Sequence, residues 1–246
     1  MTIKRVAATL VPLSLAVAMS VASGTTAQSQ APKQSPVNVT PNAVTVDPGQ
    51  APLLVTYGHS DLELHYVRKD QAQANGCTTR DHEETEEAEV EAGAGHVTLA
   101  GVRYDLVQFH FHTPSEHRFG GHSLPLEMHL VHKSAADQLL VIGVPLRAGA
   151  RSSVDTVLAT LAPECGTDVH LSDFDLNTLL PANRSTLRYQ GSLTTAPFTE
   201  GVQWMLMAEK TVTQATITRF KNLFQNGNSR ATQPLNGRDL TLVPQN

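Results

Sequence analysis

Aromatic side chains are scarce in this 246-residue chain: they make up 5% of it, and Trp204 is the only tryptophan. Cysteine is scarcer, with Cys77 and Cys165 alone. Neither is placed like a nucleophile or a zinc ligand, so thiolate chemistry drops out. Clusters of basic residues are missing. The formal charge is −5, and it becomes −7 without Lys4 and Arg5. An acidic chain of this kind excludes nucleic acid as the expected partner. Long apolar runs are missing too. The one candidate, Val6–Ala22, is interrupted by Pro12, Ser14 and Ser20, and a spanning helix needs ~20 apolar residues. A stable membrane anchor is therefore not expected. No repeat recurs at a fixed period, which excludes a solenoid or array.

What is present begins with that same run. Lys4 and Arg5 precede it, and small residues follow it at Ala22, Ser23, Gly24, Thr26 and Ala27. This is the pattern of a secretory leader, with cleavage near Ser23 or Ala27. Residues 1–27 are read as leader and cleavage region and 28–246 as one domain, long enough to bury its own core. With no cysteine near the cleavage region, lipid attachment there is excluded. The expected destination is periplasmic or extracellular. In an oxidising compartment an even cysteine count suggests a Cys77–Cys165 disulfide, set against two unpaired buried thiols. The long loop it closes is worth ~3–4 kcal/mol in the chain-entropy model.

From Ser35 onward, short apolar-alternating runs are broken by Gly, Pro, Asn and Asp. Strands are expected at 53–57, 62–67, 87–92, 96–99, 106–112, 127–132, 139–146 and 202–207, because their β-branched and aromatic residues suit a half-buried pleated surface. Helices are expected at 154–161, after the N-cap candidates Ser152 and Ser153, and at 213–224, where Ile217, Phe220 and Phe224 share a face. The fold class is α+β but mainly β: a large central, mostly antiparallel twisted sheet with short peripheral helices. Seven acids fall between Asp81 and Glu91. Alternation of Glu87, Glu89 and Glu91 with Ala88, Val90 and Ala92 makes one acidic face, read either as a solvated edge or as a charged rim near a site.

The histidines carry the chemistry. Gln-Phe-His-Phe-His occupies 108–112 and Leu-Glu-Met-His occupies 126–129. In a strand, residues i and i+2 share a face, so His110 and His112 aim at one spot with Gln108 beside them. A second strand can bring His129 there with Glu127. Three neutral imidazoles leave one position of a tetrahedral zinc ion open, as catalytic zinc sites do. Gln108 and Glu127 are placed to accept the protons on the outward ring nitrogens. His117, His122 and His132 are read as structural or surface residues, with His132 on the face opposite His129.

These motifs resemble the α-class carbonic anhydrases in their bacterial, exported form. The likeness covers Gln-Phe-His-Phe-His-Thr-Pro-Ser-Glu-His at 108–117, Pro-Leu-Glu-Met-His-Leu-Val-His at 125–132 and Leu-Val-Ile-Gly-Val at 140–144. It continues through Gly-Ser-Leu-Thr-Thr-Ala-Pro at 191–197, Glu-Gly-Val at 200–202 with Trp204, and Gln-Pro-Leu-Asn-Gly-Arg at 233–238, after an early Gln-Ser-Pro at 34–36. The resemblance implies zinc on His110, His112 and His129, and hydration of carbon dioxide to bicarbonate by a zinc-held hydroxide. It implies that Thr194 orients that hydroxide and that Glu116 accepts the Thr194 hydroxyl proton. Val131, Val141, Leu193 and Trp204, with Thr195 nearby, would line the substrate pocket. The alternative is a non-catalytic zinc-binding or cell-surface relative, which usually shows a lost zinc histidine. A homodimer is left open.

The chain departs from the family pattern in three places. The aromatic segment expected before Gln34 is missing. The usual bacterial cysteine pair is missing, with Phe198 near one of its places. The histidine of the family's Asn-Gly-His proton shuttle is replaced, since Asn75-Gly76-Cys77 stands there. His82 is the nearest substitute by sequence, set against an ordinary surface histidine.

Overall fold

Alternation along the chain becomes sixteen strands in a computed structural model, which describes residues 31–69 and 83–245. In order they are β1 (Asn38–Val39), β2 (Val44–Val46), β3 (Leu54–Tyr57), β4 (His59–Val67), β5 (Thr85–Val90), β6 (Gly95–Leu99), β7 (Val102–His112) and β8 (Arg118–Phe119). Then come β9 (His122–Ser123), β10 (Leu126–Ser134), β11 (Leu139–Ala148), β12 (Val169–Asp175), β13 (Thr186–Ser192), β14 (Glu200–Leu206), β15 (Lys210–Val212) and β16 (Leu240–Val243). Helix α1 (Ser153–Val157) precedes β12, and α2 (Gln214–Leu223) follows β15.

Thirteen strands make one mixed sheet in the order β12-β4-β5-β7-β10-β11-β14-β13-β16-β2, with β15 beside β11 and β3-β6 beside β7. Most pairings are antiparallel. β11 runs parallel to β14 and β15, and β16 parallel to β2. No helix among the described residues is long and apolar enough to cross a membrane.

Period-two patterning on β7 and β10 sorts the sheet's two faces. Phe109, Phe111, Met128 and Leu130 are fully buried on the face that packs against Ile217 and Phe220 of α2. Burying each large apolar side chain is worth about 1.5–3 kcal/mol. The other face carries Gln108, His110, His112, Glu127, His129 and Val131. A register shift between Val131 and His132 skips Val107, which is left exposed. His132 alternates with Met128 and Leu130 on β10 and so joins the helix-side core, where Tyr57 Oη lies 2.5 Å from its Nε2 and the Leu140 carbonyl 3.2 Å from its Nδ1. The structural reading of His132 holds and the surface reading does not.

Helix α1 is shorter than the sequence suggested. Asp155 explains where the segment is pinned: its carboxylate accepts from the Ser152 N–H at 2.8 Å, and from the Thr213 N–H, the Thr213 hydroxyl and the Thr216 hydroxyl at 2.9, 2.6 and 2.6 Å. One aspartate thus closes the first turn of α1 and ties it to the start of α2. β1, β2, β8, β9, β12, β13, β15 and β16 lie outside the strands expected from sequence.

Candidate metal centre

Strand pairing assembles the histidines. His129 sits opposite His110, and Glu127 opposite His112. One ring nitrogen from each of His110, His112 and His129 lies within 4.8 Å of the other two. The ring centroids are 4.6 to 5.3 Å apart.

The outward nitrogens are all held. Nδ1 of His110 donates to Gln108 Oε1 at 2.9 Å, and Nδ1 of His112 donates to the Asn228 carbonyl at 2.9 Å. Nε2 of His129 donates to Glu127 Oε1 at 2.9 Å. Acceptor-only partners fix the tautomers, so Nε2 of His110, Nε2 of His112 and Nδ1 of His129 carry the inward lone pairs. The His112 Nε2 is buried with no protein partner. A buried acceptor left so costs about 1–3 kcal/mol, and a metal ion offsets that. Burial, joined by repulsion from His112 and His129, holds His110 well below the ordinary histidine range. Burial also lowers His112, against the pull of Glu116. Both rings are therefore neutral at pH 7, the form that ligates zinc. The donor set fits that ion.

Behind the rings lies a network the sequence reading missed. Glu127 is fully buried, and besides His129 it accepts from the His117 N–H at 2.9 Å and His117 Nδ1 at 2.6 Å. Tyr189 Oη donates to His117 Nε2 at 2.7 Å and accepts from Ser35 Oγ at 2.9 Å. Burial pushes the Glu127 carboxyl up, but His117 and His129 outweigh it and hold the group well below the usual carboxylate range. Gly143 faces His129 across β11 because a Cβ there would lie 2.7 Å from Leu206 and 3.1 Å from Glu127. His117 was therefore assigned too little by sequence.

Glu116 is buried beside the rings. Its Oε1 accepts from the Arg230 N–H at 2.8 Å, and its Oε2 is buried without a hydrogen-bond partner 3.9 Å from His129 Nδ1. Thr194 is buried in the loop after β13, which is shaped by Leu193 N–H to Thr199 O at 2.9 Å and Phe198 N–H to Thr195 O at 2.8 Å. No Thr194–Glu116 hydrogen bond is made. Thr195 is half-buried in the same loop. Val131, Val141 and Trp204 are aligned across β10, β11 and β14, and half-buried Leu193 packs on the same apolar cluster. The indole of Trp204 lies 4.9 Å from the His129 ring, and its N–H donates to the Ser192 carbonyl at 3.0 Å.

Pairing also decides where the acidic stretch points. Glu87 is opposite His110, and Glu89 opposite Gln108, so both project from the histidine face. Gln108 Nε2 donates to Glu87 Oε2 at 2.6 Å. His82 and Cys77 lie outside the described residues. Cys165 follows α1, away from the histidines in sequence.

A family profile described as eukaryotic-type carbonic anhydrase matches residues 22–243. The chain belongs to the eukaryotic-type, or α, carbonic anhydrase family. Carbonic anhydrase from Klebsiella pneumoniae is 35% identical over 183 residues, covering 73% of this chain and 72% of its own. That of Neisseria gonorrhoeae is 34% identical over 207 residues, covering 83% and 75%. The α-carbonic anhydrase of Thermovibrio ammonificans, solved with sulfanilamide, superimposes with a TM-score of 0.74 at 30% identity, covering 85% of this chain and 86% of its own. Membership makes the chain a carbonic anhydrase-type enzyme acting on carbon dioxide and bicarbonate, with the mainly β fold expected from sequence.

Proposed function

We propose that the chain is a zinc enzyme that reversibly hydrates carbon dioxide, with His110, His112 and His129 as the metal ligands. The observation that carries this is the triad itself: three inward nitrogens within 4.8 Å of one another, one of them buried and unpartnered, with all three outward nitrogens satisfied. Held by these three neutral imidazoles, zinc would keep its full double charge and would supply the Lewis acidity that brings the pKa of water from 15.7 to about 7.

The chain's own groups do the rest. Gln108, the Asn228 carbonyl and Glu127 lock the three rings, so the ligand geometry does not relax. Val131, Val141, Leu193 and Trp204 offer a small nonpolar substrate an apolar wall and keep water out. Glu116 Oε2 is the buried acceptor that a hydroxyl beside the rings needs. Thr194 is its donor in this reading, which orients a lone pair toward the substrate carbon. A non-catalytic relative would be expected to have lost a ligand, and none is lost here. Export is proposed on the leader pattern of residues 1–27, and the Cys77–Cys165 bridge on the oxidising compartment that follows.

Stopped-flow hydration of carbon dioxide tests the reading. Purified enzyme should accelerate hydration, lose that on chelation and regain it on zinc addition. Hydration that survives complete removal of metal, or never exceeds the buffer rate in zinc-loaded protein, contradicts it.

A further inference from the structure

Each hydration releases a proton that must reach solvent, and the family's shuttle position carries Asn75-Gly76-Cys77 rather than a histidine. The sheet sets another histidine in line with the centre. His129, His110, Glu87 and His65 are paired in one row across β10, β7, β5 and β4, and directly opposed residues project from the same face. With strands ~4.8 Å apart, His65 is about 10 Å from His110, a span that a few hydrogen-bonded waters cross. The His65 side chain is 27% exposed, so it meets solvent as well.

Its setting is fixed from the metal side. His65 Nε2 lies 3.6 Å from Glu87 Oε1. Glu87 Oε2 accepts from Gln108, which in turn accepts from His110. The same glutamine that locks a metal-binding ring thus holds the carboxylate facing His65. The charged groups around it are Glu87 and Glu89 on β5, Glu63 on β4, His170 on β12 opposite Glu63, and Lys69 just beyond β4. An imidazolium there meets more negative than positive charge.

We propose that His65 carries the released proton from the metal centre to solvent, with Glu87 as the positioning residue for its ring. The inference rests on the zinc hydratase reading. One ring nitrogen takes the proton through intervening water, the imidazolium passes it to buffer, and no other bond forms or breaks. Imidazole suits the task because its ordinary charge change falls between about pH 5 and 8.

The test uses zinc-loaded full-length enzyme in dilute buffer of low basicity. His65→Ala should lower kcat by about tenfold or more, leave kcat/KM within about a factor of two because proton release follows the hydration step, and recover kcat with added imidazole. Apart from turnover, the His65 ring resonances in NMR spectra should move when Glu87→Gln removes the carboxylate 3.6 Å from its Nε2. Four outcomes overturn the proposal: an unchanged kcat in His65→Ala, a loss confined to kcat/KM, His65 resonances indifferent to Glu87→Gln, or the imidazole-rescued loss appearing in His82→Ala instead. A wild type that hydrates carbon dioxide while His65→Ala matches it refutes only this proposal. A wild type with no hydration refutes the zinc reading and this proposal with it.

Discussion

Two neighbouring pairs of strands handle buried polarity in opposite ways. On β7 and β10 the polar groups are locked: Gln108, Glu127, His129 and His132 all have partners, and the inward His112 Nε2 is the atom left for a metal. On β4 and β5 the pattern is looser. Half-buried Glu87, which accepts from Gln108, and exposed Glu89 stand beside His65. On the other face Glu86 is buried with no side-chain partner for its carboxylate, and burial, opposed only by the Ala162 backbone, pushes its pKa up to about 8. The locked pair fixes ligand geometry, which catalysis requires to be rigid. The looser pair offers groups that can change protonation, which moving a proton requires.

Substitutions can break or sharpen that contrast. The largest effect is expected at His129→Ala, which should remove zinc and hydration together, as metal analysis and stopped-flow assay would show. Glu127→Ala strips a fully buried carboxylate from His117 and His129. Breaking such a pair costs about 3–5 kcal/mol, readable by urea denaturation, and the same change on exposed Glu89 should cost little.

His132 supplies a pH test of the locked side. Burial lowers its pKa from 6.5 to about 4. The unfolded chain therefore binds the proton first as pH falls, so the stabilisation is complete above about pH 6.5 and is lost as pH drops toward 4. The loss is on the order of 3 kcal/mol, and His132→Gln should flatten that part of the wild-type profile. Thr194→Ala should keep zinc and slow kcat by about 10²-fold, the effect of losing one transition-state hydrogen bond. An unchanged rate would remove Thr194 from its assigned role. On the loose side the pH effect has the opposite sign. Glu86 has a raised folded pKa, so its neutral form suits the fold and stability falls as pH rises from about 4.5 toward 8. Glu86→Gln should abolish that decline, a gain on the order of 5 kcal/mol at alkaline pH by the same linkage.

Much of this was legible from the residues. The i, i+2 spacing of His110 and His112, and of Glu127 and His129, placed the triad and its outer partners because strand geometry alone decides which side chains share a face. The roles of Thr194 and Glu116 came only from resemblance, and their bond is not made. The direction of Glu87 and Glu89 was open because it depends on register with β7, which no local pattern encodes. Asn228 and Arg230 reach the site from a turn more than a hundred residues away in sequence, so nothing near the histidines announces them. β13 escaped notice because Leu187 and Tyr189 are its only large apolar residues, too short an alternation to stand out beside Gly191 and Ser192. β12 escaped because His170, Ser172 and Asp173 make it polar at the sheet's edge.

The most direct test of the central claim is zinc K-edge X-ray absorption on the purified protein. The account predicts one zinc per chain with three imidazole nitrogens at about 2.0–2.1 Å and one light-atom ligand completing a tetrahedron. Protein without zinc, or zinc in a sulfur- or carboxylate-dominated shell, would contradict it.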